Sequence, residues 1–280
     1  MWVIMAFSFF ALLVAIPSPE SYRPVIERRE AIKARKRGIN CIIPPAPSKK
    51  QLVIISLTRP AQLMLHEPII VLVAIYISFV FGTLYLFFLA YPFVFHGIHG
   101  FSISISGLMF LAIGVGFLTG GVSQVYFFKR DLRLIKANNG RLPEESQLIK
   151  AVFGAPLIPI SVFWFAWTSK PNISWASPCI AGFVFGLGSI WIFMGCINFV
   201  TLSYPKYAAS AMAVNSCMRF TFSCVFPIFA NPMFKALGIG WSLSILGFIF
   251  IILMPIPLVF TKYGSQIRGA SERAGRNPTK

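Results

Sequence analysis

Six stretches of this chain are long and apolar enough to cross a bilayer as helices, and no other feature constrains its fold as tightly. A hydrocarbon core of about 30 Å takes about 20 apolar residues in helical form. Blocks at Ile69–Tyr91, Ser104–Phe128, Ile149–Thr168, Trp175–Leu202, Ala208–Ala230 and Gly240–Phe260 meet that requirement. The expected fold is all-α: a polytopic transmembrane helix bundle with six full spans. A seventh block, Met1–Ile16, is apolar but short. It has no basic start, and a bulky PSPESYRP follows it instead of a small-residue cleavage site. It therefore reads as a clipped first span rather than a signal peptide.

Charge supports this reading through its placement. The net charge of +17 would suit a nucleic-acid binder, but the basic residues gather between and after the apolar blocks. Ten Lys and Arg lie in residues 17–67, six in Lys129–Lys150, one at Lys206 and five from Lys262 onward. The alternate connections hold only Lys170 and Lys235. The positive-inside rule puts the richer set in the cytoplasm, so the long 17–67 loop and the carboxyl tail are expected there. Nucleic acid is not an expected partner; the lipid bilayer is. The expected organisation is a truncated helix at 1–16, a basic central loop at 17–67, a six-helix bundle at 68–261 and a tail at 262–280. The loop contains a helix-compatible run, VIERREAIKARKRG, and a short amphipathic piece, Gln51–Glu67, suited to a membrane surface.

Few residues invite chemistry. Arg219 is the only charged residue deep inside a span, where such a group costs about 2.5–3.5 kcal/mol on insertion scales and is a functional candidate by default. Asn215 lies one turn earlier on the same face, and Asn198 is in the preceding span. No carboxylate is expected inside any span. Glu67, at the membrane edge, is a weaker candidate for an edge contact. Of the many aromatic residues, Tyr76 and Tyr85 are the best pocket candidates, since each hydroxyl needs a partner. Gly107, Gly114, Gly116, Gly120 and Gly121, with Gly182, Gly186 and Gly188, allow close helix approach, in service of movement or of plain packing. Pro156, Pro159, Pro178, Pro227, Pro255 and Pro257 can interrupt helices that line a cavity. Cys41, Cys179, Cys196, Cys217 and Cys224 show no metal or redox spacing, and His66, His96 and His99 are scattered at the edges. No metal, cofactor or enzymatic motif is expected.

Several motifs resemble a known family. PESY (Pro19–Tyr22) before a basic run, LTRPAQLMLHEPIIVLVAIYISFVFGTLYLFFLAYPFVF, GAPLIPISVFWFAWT (Gly154–Thr168), YAASAMAVNSCMRFTFSCVFPIFANPMFKALGIGW and PIPLVFTKYG are similar to the fungal drug:proton antiporter branch of the major facilitator superfamily. The resemblance implies that Met1 falls within the family's sixth helix and that the six full spans are helices seven to twelve. It implies export of a small organic compound, multidrug or polyamine-like, by alternating access across the plasma membrane, with a proton gradient as the energy source. Many relatives carry an acidic residue near the end of the seventh helix, where this chain has Leu89. Two readings result: the carboxy-terminal half of a secondary transporter, which needs an amino-terminal half or a complementing chain, or a non-transporting truncated or degenerate membrane protein.

Overall fold

The computed structural model describes residues 5, 8–10, 23–37, 49–140 and 142–269. The expected clipped span and the proline-rich middle of the 17–67 loop therefore lie almost wholly outside the described residues. The chain divides into two units, 1–55 and 56–280. In the first, the basic run forms helix α1 (Arg23–Lys36). Helix α2 (Lys49–His66) comes next, and its carboxy-terminal part belongs to the second unit.

The second unit is the membrane bundle. Its helices are α3 (Pro68–Tyr91), α4 (Ile103–Leu108), α5 (Leu111–Ala137), α6 (Leu148–Gly154), α7 (Leu157–Thr168), α8 (Ala176–Ser203), α9 (Ala208–Leu253) and α10 (Pro255–Gly269). A π-helical segment, Pro92–Ile98, prolongs α3. Among the described residues, five continuous helical stretches are long and apolar enough to cross a membrane, the last being Ala208–Gly269. That stretch holds two spans. Helix α9 alone has 46 residues, about 70 Å at 1.5 Å per residue, more than twice the bilayer core. The break is at Gly238, with φ 72° and ψ 166°, a backbone region essentially confined to glycine. Across this reversal the Ser242 hydroxyl donates to the Met233 carbonyl at 2.9 Å. The six expected spans are thus all present.

Replacing Gly238 by Val should destabilise the bundle by about 1–3 kcal/mol, since no β-branched residue accepts that conformation without strain. Thermal unfolding in detergent, monitored by tryptophan fluorescence, reads the change.

Because lipid is as apolar as leucine, these helices gain little from hydrophobicity on meeting one another and rely on close packing. Helix α8 is the hub. On one side its Gly186 faces Gly116 of α5 so closely that a Cβ on Gly186 would lie 3.3 Å from the Gly116 Cα and 3.2 Å from the Phe117 nitrogen. On the other, Gly188 and Gly195 admit the backbones of Gly154 and Ala151 on α6. Gly107, Gly114 and Gly121 have open space above them, so the glycine-rich Ser104–Phe128 block divides between a packed face and a bare one. Helix α3 packs against the first arm of α9, with Phe79 meeting Phe222 and Phe226 edge-on at 5.1 and 5.7 Å. The second arm returns along α7, where Phe163 meets Phe248 at 5.2 Å and Trp167 meets Trp241 at 5.7 Å.

Proline acts as position dictates. Pro156 separates α6 from α7. Pro159 and Pro178 fall in the first turns of α7 and α8, where the missing N–H has no intrahelical partner to lose, so neither interrupts its helix. Pro227 and Pro232 lie inside α9, and Pro255 opens α10.

Candidate substrate site

Arg219 projects from the first arm of α9 into a cradle of rings. Its guanidinium carbon lies 4.6 Å from the centroid of Phe81 on α3, 5.3 Å from Phe193 on α8 and 5.1 Å from Phe220. Three helices therefore converge on one charge. A cation held over aromatic rings gains about 2 kcal/mol where water is excluded. Tyr85, about 37% exposed and packed edge-on against Phe88 at 5.5 Å, lies within electrostatic reach of Arg219. One turn before Arg219, Asn215 is only 3% exposed. Neither polar atom of its amide has a hydrogen-bond partner among the described residues, and neither does Arg219 Nε.

A cavity of about 120 Å³ borders this cradle, lined by Val80, Phe81, Leu84, Phe117, Ser189 and Phe193 among others. The cavity wall is wholly apolar; Ser189 contributes to it, but its hydroxyl, buried without a partner among the described residues, does not face the cavity. Phe193 and Ser189 are candidate site residues that the sequence does not point to, and Phe81 stands out only as one of many aromatic residues in its span; an apolar or small residue in an apolar span gives no signal until its neighbours are known.

The remaining candidates separate from this site. Tyr76 is fully buried in the core with its hydroxyl unpartnered among the described residues, and it lines neither this cavity nor the larger one near Asn198. Glu67 is the single extended residue between α2 and α3, and its carboxylate accepts a 2.7 Å hydrogen bond from Tyr204 at the end of α8. Glu67 is thus engaged within this chain by a tyrosine that hydropathy alone does not mark.

Asn198 joins a second polar cluster. Its amide donates to Gln147 Oε1 at 3.3 Å, and Lys150 Nζ donates to the same oxygen at 2.8 Å. The Gln147 amide donates to Asp131 Oδ2 at 2.8 Å, and Lys150 lies 3.5 Å from that oxygen. Arg130 stands 3.9 Å from the other carboxylate oxygen. Asp131, Gln147 and Lys150 are all buried. The helix that begins in the Ser104–Phe128 block thus carries an inward carboxylate beyond that apolar block, because α5 continues past Phe128 to Ala137 and takes Asp131 with it. A larger cavity of about 440 Å³ opens beside this cluster, with Gln124, Phe128, Asp131, Lys150, Met194 and Asn198 in its wall. Size alone does not make it the better site. Its cations face a carboxylate, of which only Oδ1 lacks a hydrogen bond among the described residues, and its amides are paired; the cradle of Arg219 holds a cation with no such counter-charge and an amide with no partner among the described residues. Near the same cluster, Arg268 of α10 pairs with Glu144 and Glu145, which lie in the short turn before α6.

The convergence of several membrane-length helices on a cation within a span is an arrangement that membrane transporters use. Residues 1–227 match the profile of the Major Facilitator Superfamily, and the chain belongs to that family. It is 39% identical over 277 residues to the citrinin biosynthesis cluster MFS transporter ctnC of Monascus purpureus, covering 96% of this chain and 53% of that protein. It is 38% identical over 285 residues to the efflux pump atB of Aspergillus terreus, covering 98% of this chain and 59% of the pump. With the multidrug transporter mdrA of Aspergillus fumigatus it shares 36% identity over 272 residues, 95% of this chain and 45% of the transporter. The chain thus spans about half the length of the curated relatives it matches, and the match falls on their carboxy-terminal half. No solved structure matches it significantly.

Proposed function

We propose that this chain is the carboxy-terminal half of an efflux transporter, and that it moves a small organic compound by alternating access around Arg219. The observation that carries this reading is the convergence of α3, α8 and the first arm of α9 on one intramembrane cation with an unpartnered amide beside it. Transporters of this architecture place their sites near mid-membrane, where the halves meet and rock. The amino-terminal half, supplied by a further segment or a complementing chain, would close the site from the other side. The bare face of α5 supports such a partner, since Leu118 and Val122 stand out by more than two thirds.

In this reading the chain resides in the plasma membrane, with the 17–67 segment and the carboxyl tail in the cytoplasm, as the placement of Lys and Arg favours. A proton gradient is the proposed energy source. The competing reading, a membrane protein that transports nothing, draws on the coverage of about half the relatives' length. Expression in a yeast strain stripped of its efflux pumps separates the two. The chain co-expressed with the amino-terminal half of the Aspergillus terreus pump should raise resistance to toxic compounds, and the chain alone should not. No gain in either case would overturn the transport reading.

A further inference from the structure

The cradle around Arg219 selects the charge of what it binds. A guanidinium has two kinds of surface: flat faces, which attract aromatic rings, and an in-plane fork of five N–H donors, which matches a carboxylate. Rings of Phe81, Phe193 and Phe220 occupy the surroundings of Arg219 at 4.6–5.3 Å. Rings stabilise the cation but accept no in-plane hydrogen bonds, and Nε remains without an acceptor among the described residues. The ion pairs among the described residues of the bundle belong to Arg130, Lys150 and Arg268, not to Arg219. Asn215, buried to 3% exposure on the same helix face, adds an amide donor with no acceptor among the described residues. Buried donors left in this state are costly, the more so when charged. An anionic acceptor would meet both sets of donors at once.

The walls specify the rest of the ligand. The adjoining cavity is bounded by Phe81, Phe117 and Phe193 with aliphatic neighbours, and its lining is wholly apolar. Such a surface favours a flat apolar body and offers nothing to a second charge. A cationic ligand would meet the like charge of Arg219, which has no ion-pair partner among the described residues. Resting on the transport site proposed above, we propose that the ligand is an aromatic acid, a flat ring system bearing a carboxylate, held bidentately by Arg219 with Asn215 assisting. Polyamines and other cations are excluded from the substrate class by this geometry.

Three probes with one ring system test the assignment: 2-naphthoate, 2-naphthylmethanol and 2-naphthylmethylamine, binding to the full chain in lipid nanodiscs. Naphthoate should bind at least about tenfold more tightly than the alcohol, with the amine weakest. Arg219→Gln should erase the naphthoate preference. Arg219→Lys should keep part of it, since an ammonium retains the charge but not the fork, and Asn215→Leu should weaken it severalfold. Monodisperse elution and an unchanged melting temperature for Arg219→Lys guard against a folding artefact. Equal binding of acid and alcohol, tighter binding of the amine, no binding of naphthoate, or a preference that survives Arg219→Gln would each overturn the proposal. Binding does not depend on transport, so a chain that selects naphthoate yet confers no resistance removes the transport reading and leaves this one standing.

Discussion

Gly186→Leu is expected to abolish the folded bundle, while Gly114→Leu, two residues from Gly116 but on the open face of α5, leaves the chain's stability nearly unchanged. Gly186 is where α8 and α5 touch backbone to backbone. A Cβ there would meet the carbonyl of Ile113 well inside contact distance, and the Phe117 nitrogen and Gly116 Cα at 3.2 and 3.3 Å. None of those atoms is the movable end of a side chain. The helices would have to separate, and with them the van der Waals contact that replaces hydrophobic driving force in lipid. Overpacking of a core costs about 1–3 kcal/mol where side chains can adjust, and here it is backbone that must move. Gly114 has nothing within 4 Å of a Cβ built in the same way. Size-exclusion profiles of fluorescently tagged variants after detergent extraction compare them directly. Equal recovery of both variants would refute this account of the α5–α8 contact.

The second large effect concerns the buried cluster between α5, α6 and α8. Lys150→Met should cost about 3 kcal/mol. It leaves Asp131 with the Gln147 amide at 2.8 Å and Arg130 at 3.9 Å, but without the ammonium at 3.5 Å. A buried charge deprived of its partner is far more costly than a pair removed whole. The double variant Asp131→Leu, Lys150→Met should therefore recover most of the loss. Chemical denaturation of the two single variants and the double variant closes the cycle. A double variant as unstable as the sum of the singles would show that the pair is not coupled.

The spans and their order are readable from length and hydropathy because the bilayer sets a minimum length that few other structures share. The helical character of the basic run is also readable, and α1 occupies it. Span ends are less so. Hydropathy falls after Phe128, yet the helix runs on to Ala137 because a polar helix end needs no apolar surface once it leaves the hydrocarbon. Hydropathy alone therefore leaves Asp131 in a loop, and its one signal is an acidic residue set among Lys129, Arg130 and Arg133. Glycines pose another limit. Gly114 and Gly116 are indistinguishable in sequence; which one packs depends on the face that α8 takes, a tertiary fact. At the candidate site, Arg219 and Asn215 are legible because polar groups in apolar spans stand out. Asn198 is legible for the same reason, but its partner is Gln147, in a different cluster. Tyr76 shows that a hydroxyl in a span does not by itself mark a cavity.

The reversal at Gly238 also bears on how the protein is made. The two arms of α9 are joined by a single non-helical residue, with no intervening polar loop. A linker of this length leaves no slack for one arm to settle in the bilayer while the other waits in water, since the waiting arm's apolar surface would be stranded at the interface. The pair is therefore expected to enter the membrane together, as a helical hairpin already paired at its tip. A ribosome-bound chain ending near Ser242 would still hold its penultimate span outside the bilayer.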